Sequence, residues 1–110
     1  MNAPAPATVA YKILTAAQWT QWQADGIFRG APVDLADGFI HLSTAHQVRA
    51  TADKHFADET GLILAEVDLQ MLGDSVRWEV SRGGELFPHI YGLVALDAVR
   101  SAGPIEDFRP

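Results

Sequence analysis

Gly38-Phe39-Ile40-His41-Leu42-Ser43-Thr44 is the stretch on which the fold turns. It is apolar enough for a strand. A period of two sets Phe39, His41 and Ser43 on one face, with Ile40 and Leu42 on the other. Thr44-Ala45-His46-Gln47 then has the form of a capping box, in which the threonine hydroxyl satisfies an early helix N–H and Gln47 reaches back. The predicted helix runs from Ala45 to Ala57 and carries Val48, Ala52 and Phe56 as a narrow buried stripe. Its free N–H groups and positive dipole end would face His41 and Ser43, which suits an anion or a polarised amide.

A second motif, Phe87-Pro88-His89-Ile90-Tyr91-Gly92, sets Phe87, His89 and Tyr91 on one strand face. Together the two motifs predict the walls of one pocket. Between and around them the chain reads as follows. Val9 to Leu14 is a first strand, and Thr15 to Gln18 caps a helix from Ala16 to Ala24 that Gly26 stops. Residues 27–37, with Gly30 and Pro32, read as a loop. Leu62 to Leu69 is an apolar, central strand, and Val76, Trp78 and Val80 alternate with Arg77 and Glu79 in the next. Pro88 argues that the strand from Phe87 to Leu93 is an edge or a strand start. A last strand spans Ala98 to Ile105. Residues 1–8 read as a loose Ala/Pro tail and residues 9–110 as one α+β domain.

Composition narrows the function classes. A chain of 110 residues is long enough for one core without metal or disulfide staples. It has no cysteine, which excludes disulfides and thiolate sites and fits a reducing compartment. No secretory signal pattern opens the chain, and no apolar run approaches the ~20 residues of a membrane span. The expectation is a soluble cytoplasmic protein without membrane contact. A net charge of −6 disfavours non-specific nucleic-acid binding, although Arg77 and Arg82 leave room for a local basic pocket around one phosphorylated ligand. The histidines are His41, His46, His55 and His89; no ligand-spaced pair occurs among them, so no metal site is expected. Phosphate-binding glycine loops and the Gly-x-Ser-x-Gly elbow are also missing.

The candidate chemistry lies in a few residues, each with a plainer reading beside it. His41 and Ser43 sit close enough along one face to touch one ligand; alternatively His41 bonds a backbone carbonyl and Ser43 leads into the helix. His89 with Phe87 and Tyr91 forms a pocket wall, or an ordinary half-buried strand. Glu79 pairs with Arg77 or Arg82 as a solvated ion pair. Glu85 stands at the pocket mouth, or is exposed in its loop.

These residues carry a resemblance. The first motif with Gln47, then Arg77-Trp78-Glu79 and the second motif, resemble a small bacterial and plant family known as domain of unknown function 952. Ile40-His41-Leu42-Ser43, a helix, and then Leu62 to Asp68 are more distantly similar to the later half of the RNA 2′-phosphotransferases, which share the ADP-ribosyltransferase fold and use NAD. That resemblance implies a single α+β domain with a bent or split, mostly antiparallel sheet and two early helices, like a minimal ADP-ribosyltransferase core. It implies NAD as a candidate cofactor, and places Lys12, His41 and Glu85 at the positions of that fold's His–Tyr–Glu set. Lys12 is not histidine and His41 is not tyrosine. The expected site therefore has His41, Glu85 and His89 as catalytic residues. Its ligand-binding residues are Lys12, Ser43, Thr44, Arg77, Trp78, Glu79, Arg82, Phe87 and Tyr91, around a nucleotide-like small molecule. In the enzymatic version this is an NAD-using transferase or hydrolase in which Glu85 stabilises positive charge developing on a ribose. The second version is a binding module with the same pocket and no turnover. A third is an interaction protein that exposes Trp19 and Trp22.

Overall fold

Strand β1 (Val9–Leu14) is the spine of the fold, and it is described here in a computed structural model covering residues 7–109. Of the expected tail, residues 1–6 lie outside the described residues, while the Thr8 carbonyl accepts a hydrogen bond from the Leu69 N–H at 2.9 Å. After β1 come helix α1 (Ala16–Asp25), strand β2 (Ile27–Phe28), helix α2 (Pro32–Asp37), strand β3 (Ile40–His41) and helix α3 (Val48–His55). Strands β4 (Ile63–Asp68), β5 (Val76–Val80), β6 (Leu86–Ile90), β7 (Val94–Ala95) and β8 (Val99–Pro104) complete the order. They form three small antiparallel sheets, β1-β4-β8, β2-β7 and β3-β6-β5. The α+β class and the split antiparallel sheet agree with the sequence reading.

The start of the chain behaves as its residues dictate. Thr15 and Gln18 make both bonds of the capping box on α1, and Gly26 ends it at φ 74°, a left-handed conformation that costs glycine nothing. Residues 27–37 differ from the expected loop. Pro32 pre-sets the first helical position, the Asp34 carboxylate accepts the Ala31 N–H at 2.7 Å, and Gly38 ends the helix at φ 87°. A six-residue helix results, and Ile27 and Phe28 before it pair with Ala95 and Val94.

Two further expectations are corrected. Helix α3 begins at Val48 rather than Ala45. Gln47 does reach back to the Thr44 N–H at 3.0 Å, but the Thr44 hydroxyl makes no cap, and residues 45–47 form a turn. The Gln47 amide is buried and also donates to the Leu86 carbonyl at 2.8 Å, so it ties α3 to β6. Strand β6 is central, not an edge. The Leu42 N–H donates to Pro88 O at 3.1 Å, and proline has no N–H to return the bond. The β3 ladder stops there, which explains its two residues.

The core has two parts. The larger gathers Leu14, Trp22, Val67, Ile90 and Val94 between the sheets. The smaller packs α3 against the outer face of β1 and β4, through Ile13, Val48, Leu64 and Ile105, with Ala52 and Phe56 against them. The stripe read on α3 is therefore its buried face. Trp22 is 1% exposed, stacked on Phe28 at 4.8 Å, and Trp19 meets it edge-on at 5.6 Å. The reading of these indoles as an exposed interaction surface is overturned: they are core.

Candidate functional site

The site forms where the β1 sheet meets the β3 sheet. Period two sets Lys12 on the face of β1 that carries Ala10 and Leu14, so its ammonium is forced into the interior, 6% exposed. A buried cation needs an anion. Asp34, from α2, supplies it: Lys12 Nζ donates to both carboxylate oxygens, at 2.9 and 3.1 Å, and to the His41 carbonyl at 3.0 Å. Asp34 also accepts the His41 backbone N–H at 3.0 Å and faces His41 Nδ1 at 2.7 Å. Burial alone would push its carboxyl up, but the bonds from His41 and the Lys12 charge outweigh this and hold it at about 2. Burial pulls Lys12 below the ordinary lysine value, against the attraction of Asp34. The other His41 nitrogen, Nε2, lies 2.9 Å from Asp37. Both ring nitrogens thus meet carboxylate oxygens.

Next to His41 stands His89, with ring centroids 5.5 Å apart and Phe39 against both, at 4.6 and 4.1 Å. His89 is 5% exposed, and its Nδ1 lies 2.7 Å from Glu79 on the neighbouring strand. Tyr91 donates its hydroxyl to the same carboxylate oxygen at 2.7 Å. The bonds from His89 and Tyr91 lower the Glu79 pKa and keep it ionised, and the bond to Glu79 raises that of the Tyr91 phenol. An ionised acceptor at Nδ1 makes that nitrogen the N–H donor and leaves Nε2 free. Among the described residues His89 Nε2 has no protein partner, and the Trp22 indole N–H is the sealed side-chain polar atom without one. His89 Nε2 is therefore open to solvent.

His89 lines a cleft of about 570 Å³. Lys12, His41, Ser43, Phe87 and His89 line it, with Thr51 and His55 of α3, Phe56 just after that helix, and Ser81 and Arg82. Pro32 and Val33 of α2 line it too, with Asp37 and Glu59 as lining acids. The Ser43 and Thr51 hydroxyls are 3.0 Å apart, and Arg82 donates to Thr51 at 3.0 Å while its guanidinium lies over the Phe87 ring at 4.9 Å. Partial burial and then the nearby Arg82 charge lower the His55 pKa.

Of the residues read from the sequence, the cleft thus brings together Lys12, His41, Ser43, Arg82, Phe87 and His89. The others lie elsewhere. Glu79 does not pair with Arg77 or Arg82; it stands behind His89. Glu85 is outside the cleft, its carboxylate 3.3 Å from Gln47 Nε2 and 3.8 Å from His46 Nε2. Arg77 and Arg82 do not share a basic pocket: Arg77 lies over the Tyr91 ring at 4.6 Å and is not among the cleft-lining residues. Trp78 packs on the larger core, and Thr44 lies beyond the cleft. The start of α3 does not face His41 either; its later residues Thr51 and His55 do. Asp34, Thr51 and His55 were not among the expected site residues. The signal for Asp34 was Lys12 itself, a cation on the core face of a strand.

The fold and cleft define a class: a small α+β domain of split antiparallel sheets with a histidine-lined cleft at their joint. The sequence profile described as "Protein of unknown function (DUF952)" matches residues 13–102, and the chain belongs to that family. Similar solved structures come from protein CC0527 of the bacterium Caulobacter crescentus. Its crystal structure is 44% identical with a TM-score of 0.85, covering 88% of this chain and 85% of that one. Its solution structure is 44% identical with a TM-score of 0.78, covering 89% and 84%. No curated protein matches the chain. Neither the family profile nor these structures carries the likeness to ADP-ribosyltransferases or RNA 2′-phosphotransferases. Among the described residues no helix is long and apolar enough to cross a membrane.

Proposed function

We propose that the cleft binds a nucleotide-like small molecule and that His89, held by Glu79, moves a proton on it. The observation that carries this reading is the Glu79–His89 pair: a carboxylate fixes Nδ1–H at 2.7 Å, and the opposite ring nitrogen is free at a cleft. That is the arrangement of a general base or acid. His41 is the poorer candidate, because Asp34 and Asp37 occupy both its nitrogens. It orients the inner surface instead. Phe87, with Arg82 over its ring at 4.9 Å, and Ser43 line the cleft in which the ligand would sit. NAD enters as a candidate cosubstrate through the resemblance alone. With Glu85 outside the cleft, stabilisation of a ribosyl cation by that residue loses its support.

The second reading, a binding module without turnover, gains from the same displacement of Glu85. Cytoplasmic residence remains part of the proposal, supported by the cysteine-free composition. Calorimetry and product analysis with NAD, AMP and adenosine distinguish the readings. Binding with turnover that His89→Gln abolishes is expected of the enzyme; binding with no product supports the module. No binding of any of the three at millimolar concentration refutes the nucleotide reading.

A further inference from the structure

The hydrogen-bond accounting at the Arg82 end of the cleft leaves a surplus of donors. Arg82 is half-buried, and no carboxylate among the described residues lies within ion-pair distance of it. Glu59 lines the same cleft but forms no ion pair with it. A guanidinium has five N–H donors and no acceptor. The protein uses one of them on the Thr51 hydroxyl at 3.0 Å, and the Phe87 ring beneath fixes the plane. Thr51 and Ser43 then share one O–H between them at 3.0 Å. Whichever hydroxyl donates, the other keeps its hydrogen with no acceptor in the protein. Ser43 is 4% exposed, Thr51 is half-buried, and both line the cleft, so whichever hydroxyl keeps the spare hydrogen presents it there. The two elements are locked in place independently, Ser43 by its backbone pairing with Tyr11 and Thr51 by α3.

A half-buried cation without a counter-charge, beside a spare hydroxyl hydrogen, is a site that lacks an anion. We infer that Arg82, Thr51 and Ser43 form a phosphate subsite, which holds a phosphate group of the cleft's ligand while His89 faces its remainder. The inference rests on the nucleotide reading for the choice of phosphate, and on the donor surplus for the charge. Arg82 supplies the planar fork that matches two phosphate oxygens, and the hydroxyl pair takes a third. His55, one helical turn beyond Thr51, lies close enough to feel the bound charge.

The test uses inorganic phosphate, AMP and adenosine as probes, followed by amide and histidine side-chain NMR. Phosphate and AMP are expected to shift the resonances of Thr51, Arg82 and His55 and to move the His55 titration to higher pH. AMP is expected to bind at least tenfold tighter than adenosine. Arg82→Gln should weaken AMP and phosphate by roughly ten- to a hundredfold, as loss of a charged hydrogen-bond donor does, and leave adenosine unchanged. Thr51→Val, nearly isosteric at a half-buried position, should weaken AMP in the same direction and serves should Arg82→Gln misfold. Equal affinity for AMP and adenosine, AMP and phosphate binding unchanged in Arg82→Gln and Thr51→Val, or no phosphate binding at millimolar concentration overturns the subsite. Arg82-dependent binding of phosphate with no gain from the nucleoside leaves the subsite standing and refutes the nucleotide reading instead.

Discussion

Asp34→Asn is the substitution with the largest expected consequence. Asparagine keeps the size and one acceptor oxygen, so the Ala31 and His41 N–H groups retain partners in part. What it removes is the charge opposite Lys12, whose ammonium stays buried. Breaking a buried pair by removing one partner costs about 3–5 kcal/mol. The structure supplies an independent ceiling, because the orphaned lysine has the option of losing its proton. For a lysine of pKa near 10.4 that costs about 4.6 kcal/mol at pH 7 and about 2 kcal/mol at pH 9. The penalty is therefore expected near 3–4.5 kcal/mol at neutral pH and to shrink toward 2 as pH rises. The sign follows from linkage: in the variant the unfolded chain binds the lysine proton that the folded one rejects, so stability increases with pH. On the acid side the native protein's stability also rises with pH, but through a different group. The Asp34 carboxyl is depressed to about 2 when folded, so its contribution is present above pH 4 and lost as pH falls toward 2. The loss amounts to about 2 kcal/mol, and Asp34→Asn should lack it. Urea unfolding at several pH values measures the penalty and its pH dependence, and thermal unfolding at pH 7 should show a fall in Tm of roughly 12–18 °C. Lys12→Met combined with Asp34→Asn should recover at least half of the loss. A penalty below about 1 kcal/mol that does not change with pH refutes the reasoning.

Other outcomes follow from the same contacts. His41→Asn should lower stability, since it unties Asp34 and Asp37 at once; His89→Asn removes a buried ring packed on Phe39 and should cost about 1–3 kcal/mol too, but it alone should abolish any His89-dependent proton step in the cleft, which product assays against pH read. Both tyrosines should ionise above the usual pKa of 10, Tyr11 through burial and its bond to Glu66, Tyr91 through its bond to Glu79. Absorbance titration reads this, and Glu79→Gln should bring one of the two midpoints down. Trp22→Ala should cost about 3–5 kcal/mol as an ordinary core cavity, but Trp22→Phe less than about 2, because it also deletes an indole N–H that is buried without a partner. A Trp22→Phe penalty as large as that of Trp22→Ala, in denaturant unfolding, would show that the N–H finds a partner.

Local chemistry made most of the elements legible. The Thr15 box, the Gly26 stop and the alternation of β5 act within a few residues of themselves, and each appears where its residues place it. The His41–His89 proximity was legible for the same reason, since two strands with aromatic and imidazole faces form one wall. What was not legible depends on long-range partners. Glu79 and Glu85 are each near the second motif in sequence, but only β5–β6 pairing decides that Glu79 meets His89. It lines up Arg77 with His89 and leaves Glu85 at the strand's far end, beside Gln47. Gln47 itself shows how a local motif is overridden. Its side chain serves Thr44 and Leu86 together, and the tertiary bond to β6 accompanies a helix that starts three residues late.

The Lys12–Asp34 pair raises the question of why charge is kept where apolar residues would pack as well. Replacing buried ion pairs by apolar groups is often neutral or stabilising, so stability alone does not account for it. The backbone of His41 does. Because Leu42 bonds to Pro88, alternation along an antiparallel ladder turns the His41 N–H and carbonyl away from β6, toward β1. Two positions on, Ser43 meets the β1 backbone directly, exchanging both bonds with Tyr11 at 2.7 and 2.9 Å. At His41 the sheets have diverged, and side chains span the gap: Asp34 accepts the N–H and Lys12 donates to the carbonyl. An apolar pair there would strand two buried backbone groups at about 1–3 kcal/mol each. The ion pair therefore substitutes for a missing stretch of strand. It lets the sheet split without orphaned amides, and the split is what opens the cleft beneath His41 and His89.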